Sequence, residues 1–113
     1  MHPINRTSVL NLLSCHIGKA RGIKGDDIVE WLMQEKPHEG TKRLLRKTIE
    51  QLRNDGYAIC GYPGDGYYMA ANDQELIDTC LFLYSRAMTS LNQVAKMRGV
   101  SELDLKGQLR IQT

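Results

Sequence analysis

Ile49-Glu50-Gln51-Leu52-Arg53-Asn54-Asp55-Gly56-Tyr57, followed after three residues by Gly61-Tyr62-Pro63-Gly64-Asp65-Gly66-Tyr67-Tyr68, is where the 113-residue chain changes its period. Before Asp55, the apolar residues Leu45, Ile49 and Leu52 recur at i, i+4, i+7 with Leu44 beside them, the spacing of one helix face. Lys42, Arg43, Arg46, Lys47 and Glu50 lie toward the other side. Thr41 is the expected N-cap of this helix, and Asp55-Gly56 its end, where the backbone takes a positive φ. Beyond it, Tyr57-Ala58-Ile59-Cys60-Gly61 and Gly66-Tyr67-Tyr68-Met69-Ala70 are β-type runs joined by Tyr62-Pro63-Gly64-Asp65, which predicts a hairpin.

Working outward toward the N-terminus, Val9, Leu10, Leu12, Leu13 and His16 or Ile17 predict a first helix from Thr7 to Ile17, ended by Gly18. Gly18-Lys19-Ala20-Arg21-Gly22 reads as a flexible basic connector. Lys24-Gly25-Asp26-Asp27 then leads into Ile28, Trp31 and Leu32 at i, i+3, i+4, a short second helix with acids at its positive end and Trp31 in the core. Glu35-Lys36-Pro37-His38-Glu39-Gly40 is a polar turn. Toward the C-terminus, Asn72 is the expected cap of a long helix over Asp73 to Met97, with Glu75 completing a capping box. Its apolar positions Ile77, Leu81, Tyr84, Met88, Leu91 and Ala95 follow the 4-3-4-3-4 spacing of a coiled-coil seam. At about 25 residues it would span roughly 37 Å, more than one small domain needs. Leu103 to Ile111 alternates apolar and polar residues, as a strand, a small hairpin around Lys106-Gly107, or a tail ordered by a partner. The fold class expected is therefore mainly α with a small β-hairpin (α+β), divided as a domain over 1–71, a long helix over 72–99 and a tail or short β segment over 100–113.

Three helices and then a hairpin, with the third helix basic on its outer face, resembles a winged helix-turn-helix. The run Leu52-Arg53-x-x-Gly56, a strand, Pro63-Gly64-x-Gly66 and an aromatic second strand is similar to the biotin operon repressor's DNA-binding domain and to small phage and prophage winged-helix proteins. The resemblance implies that the third helix enters the major groove of double-stranded DNA while the hairpin lies against the backbone or minor groove. Carried onto this chain, it makes Arg43 and Arg46 donors to guanine edges and Lys42 and Lys47 partners of phosphates. Thr41 would offer a hydroxyl or amide at the helix N-terminus, and Tyr62 and Gly64 a second contact at the hairpin tip. Ile77, Leu81, Tyr84, Met88 and Leu91 would join two copies into a homodimer. Met33 to Gly40 is longer and more charged than the tight turn of that family, and no ligase domain follows, so biotin chemistry is not implied.

Composition narrows the remaining classes. An apolar fraction of 42% with 25% charged residues is that of a folded domain rather than a disordered chain. No run of roughly 20 apolar residues exists to span a bilayer and no secretory signal opens the chain, so a cytoplasmic protein without membrane contact is expected, in a bacterium or an infected host cell. Cys15, Cys60 and Cys80 are odd in number and far apart; they are expected to be reduced and mostly buried, and neither metal nor other cofactor is expected. Cys15 and His16 are adjacent on a helix and point apart, His2 is terminal and His38 sits in a turn, so no catalytic constellation appears and no enzyme is expected. Net charge is only +2, with ten Lys/Arg against eight Asp/Glu up to residue 70 and five of each beyond it. A DNA-binding reading therefore rests on where the charges lie. It points to a transcription or replication-control factor of phage or mobile-element type. The competing reading is a winged-helix interaction module that binds and modulates a host or phage polymerase, helicase or nuclease; the small net charge and Asp65 at the hairpin tip favour it.

Overall fold

Asn5 opens the first helix, α1 (Arg6–Leu13), by a reciprocal capping box: its side chain accepts from Ser8 N at 2.9 Å and its own N–H donates to Ser8 Oγ at 3.1 Å. In the computed structural model, which describes residues 2–99, four helices and one antiparallel hairpin follow in the order helix, helix, helix, strand, strand, helix. The chain is thus mainly α with a small hairpin and a long last helix, as its periodicity indicates. Helix α1 stops at Leu13 and does not reach Ile17. Residues past Ser14 are drawn into backbone pairing instead: Met69 N donates to His16 O at 2.8 Å and Gly18 N to Met69 O at 2.9 Å.

The segment after Gly18 is correspondingly not a flexible connector. Lys19–Arg21 forms a single 3-10 turn, and Ile23 then exchanges two backbone hydrogen bonds with Tyr67, at 2.9 and 2.8 Å. Glycine is required on both sides of this seam. A Cβ on Gly22 would stand 1.9 Å from the Asp65 carbonyl oxygen, and one on Gly66, at φ +77°, would stand 2.5 Å from the Ile23 carbonyl.

Helix α2 (Gly25–Met33) carries Asp26 and Asp27 in its first turn and buries Ile28, Val29 and Leu32. Trp31, expected in the core, falls on the flank of that face and is 68% exposed. Gln34 ends the helix in the left-handed conformation at φ 56°, and the chain turns into α3 (Glu39–Asn54). The cap of α3 is His38, not Thr41. The His38 imidazole accepts from Gly40 N at 3.1 Å, while Thr41, three residues on, takes His38 N on its hydroxyl at 3.1 Å. Helix α3 then lays Leu45, Ile49 and Leu52 against Val9, Leu13, Ile28, Val29, Leu32 and Ile59, forming one core.

Strands β1 (Ile59–Tyr62) and β2 (Gly66–Met69) pair antiparallel with Ile59 opposite Met69 and Tyr62 opposite Gly66. Pro63 and Gly64 sit at the two central positions of the turn that Asp65 N closes on Tyr62 O at 3.0 Å, and Gly64 takes φ +89° there. The hairpin is buried on both faces. Ile59, Tyr67 and Met69 meet the helical core, whereas the cross-strand pair Cys60 and Tyr68 is covered by the start of α4 (Asp73–Arg98), where Cys60 Sγ donates to Glu75 O at 3.6 Å. Burial pushes the pKa of the Tyr68 hydroxyl above its ordinary value.

Asn72 caps α4 as its sequence position indicates, accepting from Glu75 N at 2.9 Å. The Glu75 carboxylate does not return to Asn72. It takes the backbone N–H of Ala71 at 2.9 Å and of Lys19 at 3.0 Å, and these bonds hold its pKa below the ordinary glutamate value. The chain divides into two compact units between Thr79 and Cys80, inside α4. No helix among the described residues is long and apolar enough to cross a membrane. Cys15, Cys60 and Cys80 form no disulfide, and only Cys60 is buried; Cys15 and Cys80 are exposed, against the expectation of mostly buried thiols. The tail or β segment expected over 100–113 lies outside the described residues.

Candidate nucleic-acid interface

Because Leu45, Ile49 and Leu52 lock one side of α3 into the core, the helix presents the opposite side to solvent in a fixed rotation. Arg43, Arg46 and Lys47 stand on that side and line a shallow groove of about 410 Å³ together with Glu50, Gln51 and Asn54. No apolar residue lines it. Gln51 and Asn54 escaped the sequence reading, although their spacing from Lys47, one and two turns on, places them in the same stripe.

The cations of α3 differ in how far they are already neutralised. Arg46 bonds Glu39 at 3.1 Å, and that hydrogen bond, with the guanidinium charge behind it, lowers the Glu39 pKa. Lys42 is half-buried and stands 3.7 Å from Asp26. Arg43 and Lys47 are exposed and make no ion pair within 4.0 Å among the described residues. Such surface pairs contribute about 0–1 kcal/mol each, so Arg46 and Lys42 exchange partners at little cost. Lys24 joins Lys42, Arg46 and Tyr67 around a second hollow of about 430 Å³, which also carries Asp26 and Asp27.

Thr41, expected to offer a hydroxyl or amide to a phosphate at the N-terminus of α3, does not present its hydroxyl to solvent. Only 7% of it is exposed, and its hydroxyl donates to His38 O at 2.9 Å while accepting from His38 N. That hydroxyl is committed to the cap. Arg53 is likewise turned inward: its Nε donates to Ile59 O at 2.8 Å and its guanidinium packs on Gly61, tying the end of α3 to β1.

At the hairpin tip Tyr62 is partly exposed, and Gly64 has open space where a side chain would be. Asp65 does not leave a bare negative charge beside them. Lys19 Nζ lies 3.7 Å from its carboxylate and 5.8 Å from the Tyr62 ring centroid, so the tip carries an acid, a base and an aromatic face in contact. Along α4, Ile77 in the first unit is exposed, as are Leu81 and Tyr84 in the second, while Met88 and Leu91 are half-buried. Among the described residues, no three His, Cys, Asp or Glu side chains are placed to hold a metal ion. No protein family, curated protein or solved structure matches the chain.

Proposed function

We propose that this chain is a winged helix-turn-helix protein that binds double-stranded DNA through α3 and the hairpin, acting as a homodimer joined along α4. The observation that carries the reading is the stripe of Arg43, Arg46, Lys47, Gln51 and Asn54 on the solvent side of a helix whose other side is locked in the core. These are the residue types that read base edges: Arg forks match guanine O6 and N7, and Asn or Gln amides match adenine N6 and N7. A major groove about 12 Å wide admits the helix that carries them. Lys47 and Lys42 serve phosphates, and Gly64, lacking a side chain, lets the hairpin backbone approach the sugar-phosphate chain at Tyr62.

The exposed Ile77, Leu81 and Tyr84 on the seam spacing support pairing of two copies, which would set two α3 helices on half-sites about one helical turn apart and select a partly palindromic site. The test is fluorescence anisotropy on random duplex DNA at about 50 and 200 mM salt. Several phosphate contacts predict a loss of affinity of about two to four orders of magnitude over that interval. Lys47→Ala, which removes a phosphate partner, should weaken binding across sequences and lower the salt slope by about one, with the fold intact. Undiminished affinity in the Arg43→Ala, Arg46→Ala double variant would sink the reading.

One observation favours the second reading, a protein-interaction module: Lys42 and Arg46 already hold Asp26 and Glu39. A dimer with no DNA affinity at low salt would select it.

A further inference from the structure

Trp31, the one tryptophan of the chain, stands exposed beside a hollow of about 680 Å³ between α1 and α2. Leu12, Ile23 and Leu32 supply its apolar wall. Asp27 is the one carboxylate that lines it and no Lys or Arg does, while the imidazoles of His2 and His16 also stand on its wall. Asp27 and Trp31 are one turn apart on α2, so the carboxylate and the indole share a side of the helix. The neighbouring Asp26 is engaged with Lys42, whereas Asp27 makes no ion pair among the described residues.

Each part has a chemical preference. An indole face attracts a cation within about 6 Å of its ring, and the attraction is strongest for positive charge spread over methyl or methylene groups, which sheds water easily. A free carboxylate beside it favours the same sign and disfavours anions. The apolar wall takes the hydrocarbon part of a ligand, and the volume falls within the range of pockets that hold small organic molecules.

We propose that this hollow is a binding site for a small organic cation with an apolar body, a quaternary ammonium or a bulky protonated amine, its charged head held between Trp31 and Asp27. The assignment rests on the lining of this hollow and not on the DNA-binding reading: it shares no residue with the groove of Arg43, Arg46 and Lys47, and only Asp27 with the hollow of Lys24, Lys42 and Arg46.

Trp31 is its own reporter. The full chain is titrated with benzyltrimethylammonium at about pH 8, above the range in which imidazoles ordinarily titrate, and the indole emission is followed. Benzyl alcohol and phenylacetate serve as the neutral and anionic counterparts. The site predicts a saturable change in emission with the cation, binding of benzyl alcohol at least about fivefold weaker, and no saturation with phenylacetate. Asp27→Asn, checked for helix content by circular dichroism, should weaken the cation about fivefold and narrow its advantage over benzyl alcohol. In Trp31→Leu, followed by calorimetry, that advantage should fall as well. Equal binding of all three probes, absence of saturation with the cation, or an unchanged cation affinity in Asp27→Asn would overturn the assignment.

Discussion

Helices α3 and α4 both carry an apolar stripe, and the chain treats the two stripes in opposite ways. On α3, Leu45, Ile49 and Leu52 are 1–2% exposed, whereas on α4 Ile77, Leu81 and Tyr84 are 49%, 58% and 61% exposed. Fully burying one such side chain contributes about 1.5–3 kcal/mol. Helix α3 therefore spends its stripe on holding the domain and leaves a polar, basic face outward. Helix α4 leaves the first half of its stripe, through Tyr84, exposed, while Met88 and Leu91 are half-buried and Ala95 is buried. The lesson is that periodicity reports which side of a helix is apolar; whether that side is used inside the chain depends on what the rest of the fold brings to it.

The sharpest way to break this comparison is to truncate one residue in each stripe. Ile49→Ala should lower the stability of the chain by about 2–5 kcal/mol in urea unfolding, through lost burial and the cavity left behind. Arg53→Ala should cost about 1–3 kcal/mol by removing the charged donor from Ile59 O, and it should leave the salt dependence of DNA binding unchanged, separating the inward cation of α3 from the outward ones. Leu81→Ala should change the unfolding free energy of the dilute chain by less than about 0.5 kcal/mol. Its effect belongs in sedimentation equilibrium, where dimer dissociation should become about tenfold easier. Should Leu81→Ala destabilise the dilute chain as much as Ile49→Ala, the two stripes are equivalent and the comparison fails.

The smallest effect sharpens the first turn of α4. Backbone N–H groups of Ala71 and Lys19 hold the Glu75 pKa below the value of about 4.3 that an unfolded glutamate has. A depressed carboxylate contributes stability that is present above the unfolded value and is lost as pH falls through the folded one. Thermal midpoints measured from about pH 6 down to pH 3 should therefore fall less steeply in Glu75→Gln than in the parent chain.

How far the sequence could be read follows from how local each cause is. The hairpin turn was legible because Pro63 sets the first central φ and Gly64 permits the second to be positive, both within four residues. Asn72 was legible as a cap for the same reason. The cap of α3 was not: Thr41 has the preferred chemistry, but His38 takes the place because its ring can lie against Gly40, where a Cβ would meet the imidazole at 3.0 Å. The end of α1 was hidden too, since Cys15 and His16 continue its pattern until Met69 pairs with the backbone there. Of the candidate site, the outward position of Arg43, Arg46 and Lys47 followed from spacing, and their proposed role from the resemblance. Thr41 fell out of it when the true cap moved one turn back, and Gln51 and Asn54 entered only with the groove.

By itself, the sequence determined the element order, the hairpin and its turn, the apolar face of α3 and the stripe of α4, because each depends on contacts within a turn or two of chain. The tertiary structure alone decided that residues 16–23 brace the hairpin, that Trp31 stands outside the core beside Asp27, and that Lys19 neutralises Asp65 at the tip. These depend on which backbone edges and charges meet across long stretches of chain, and no local pattern of residues encodes that meeting.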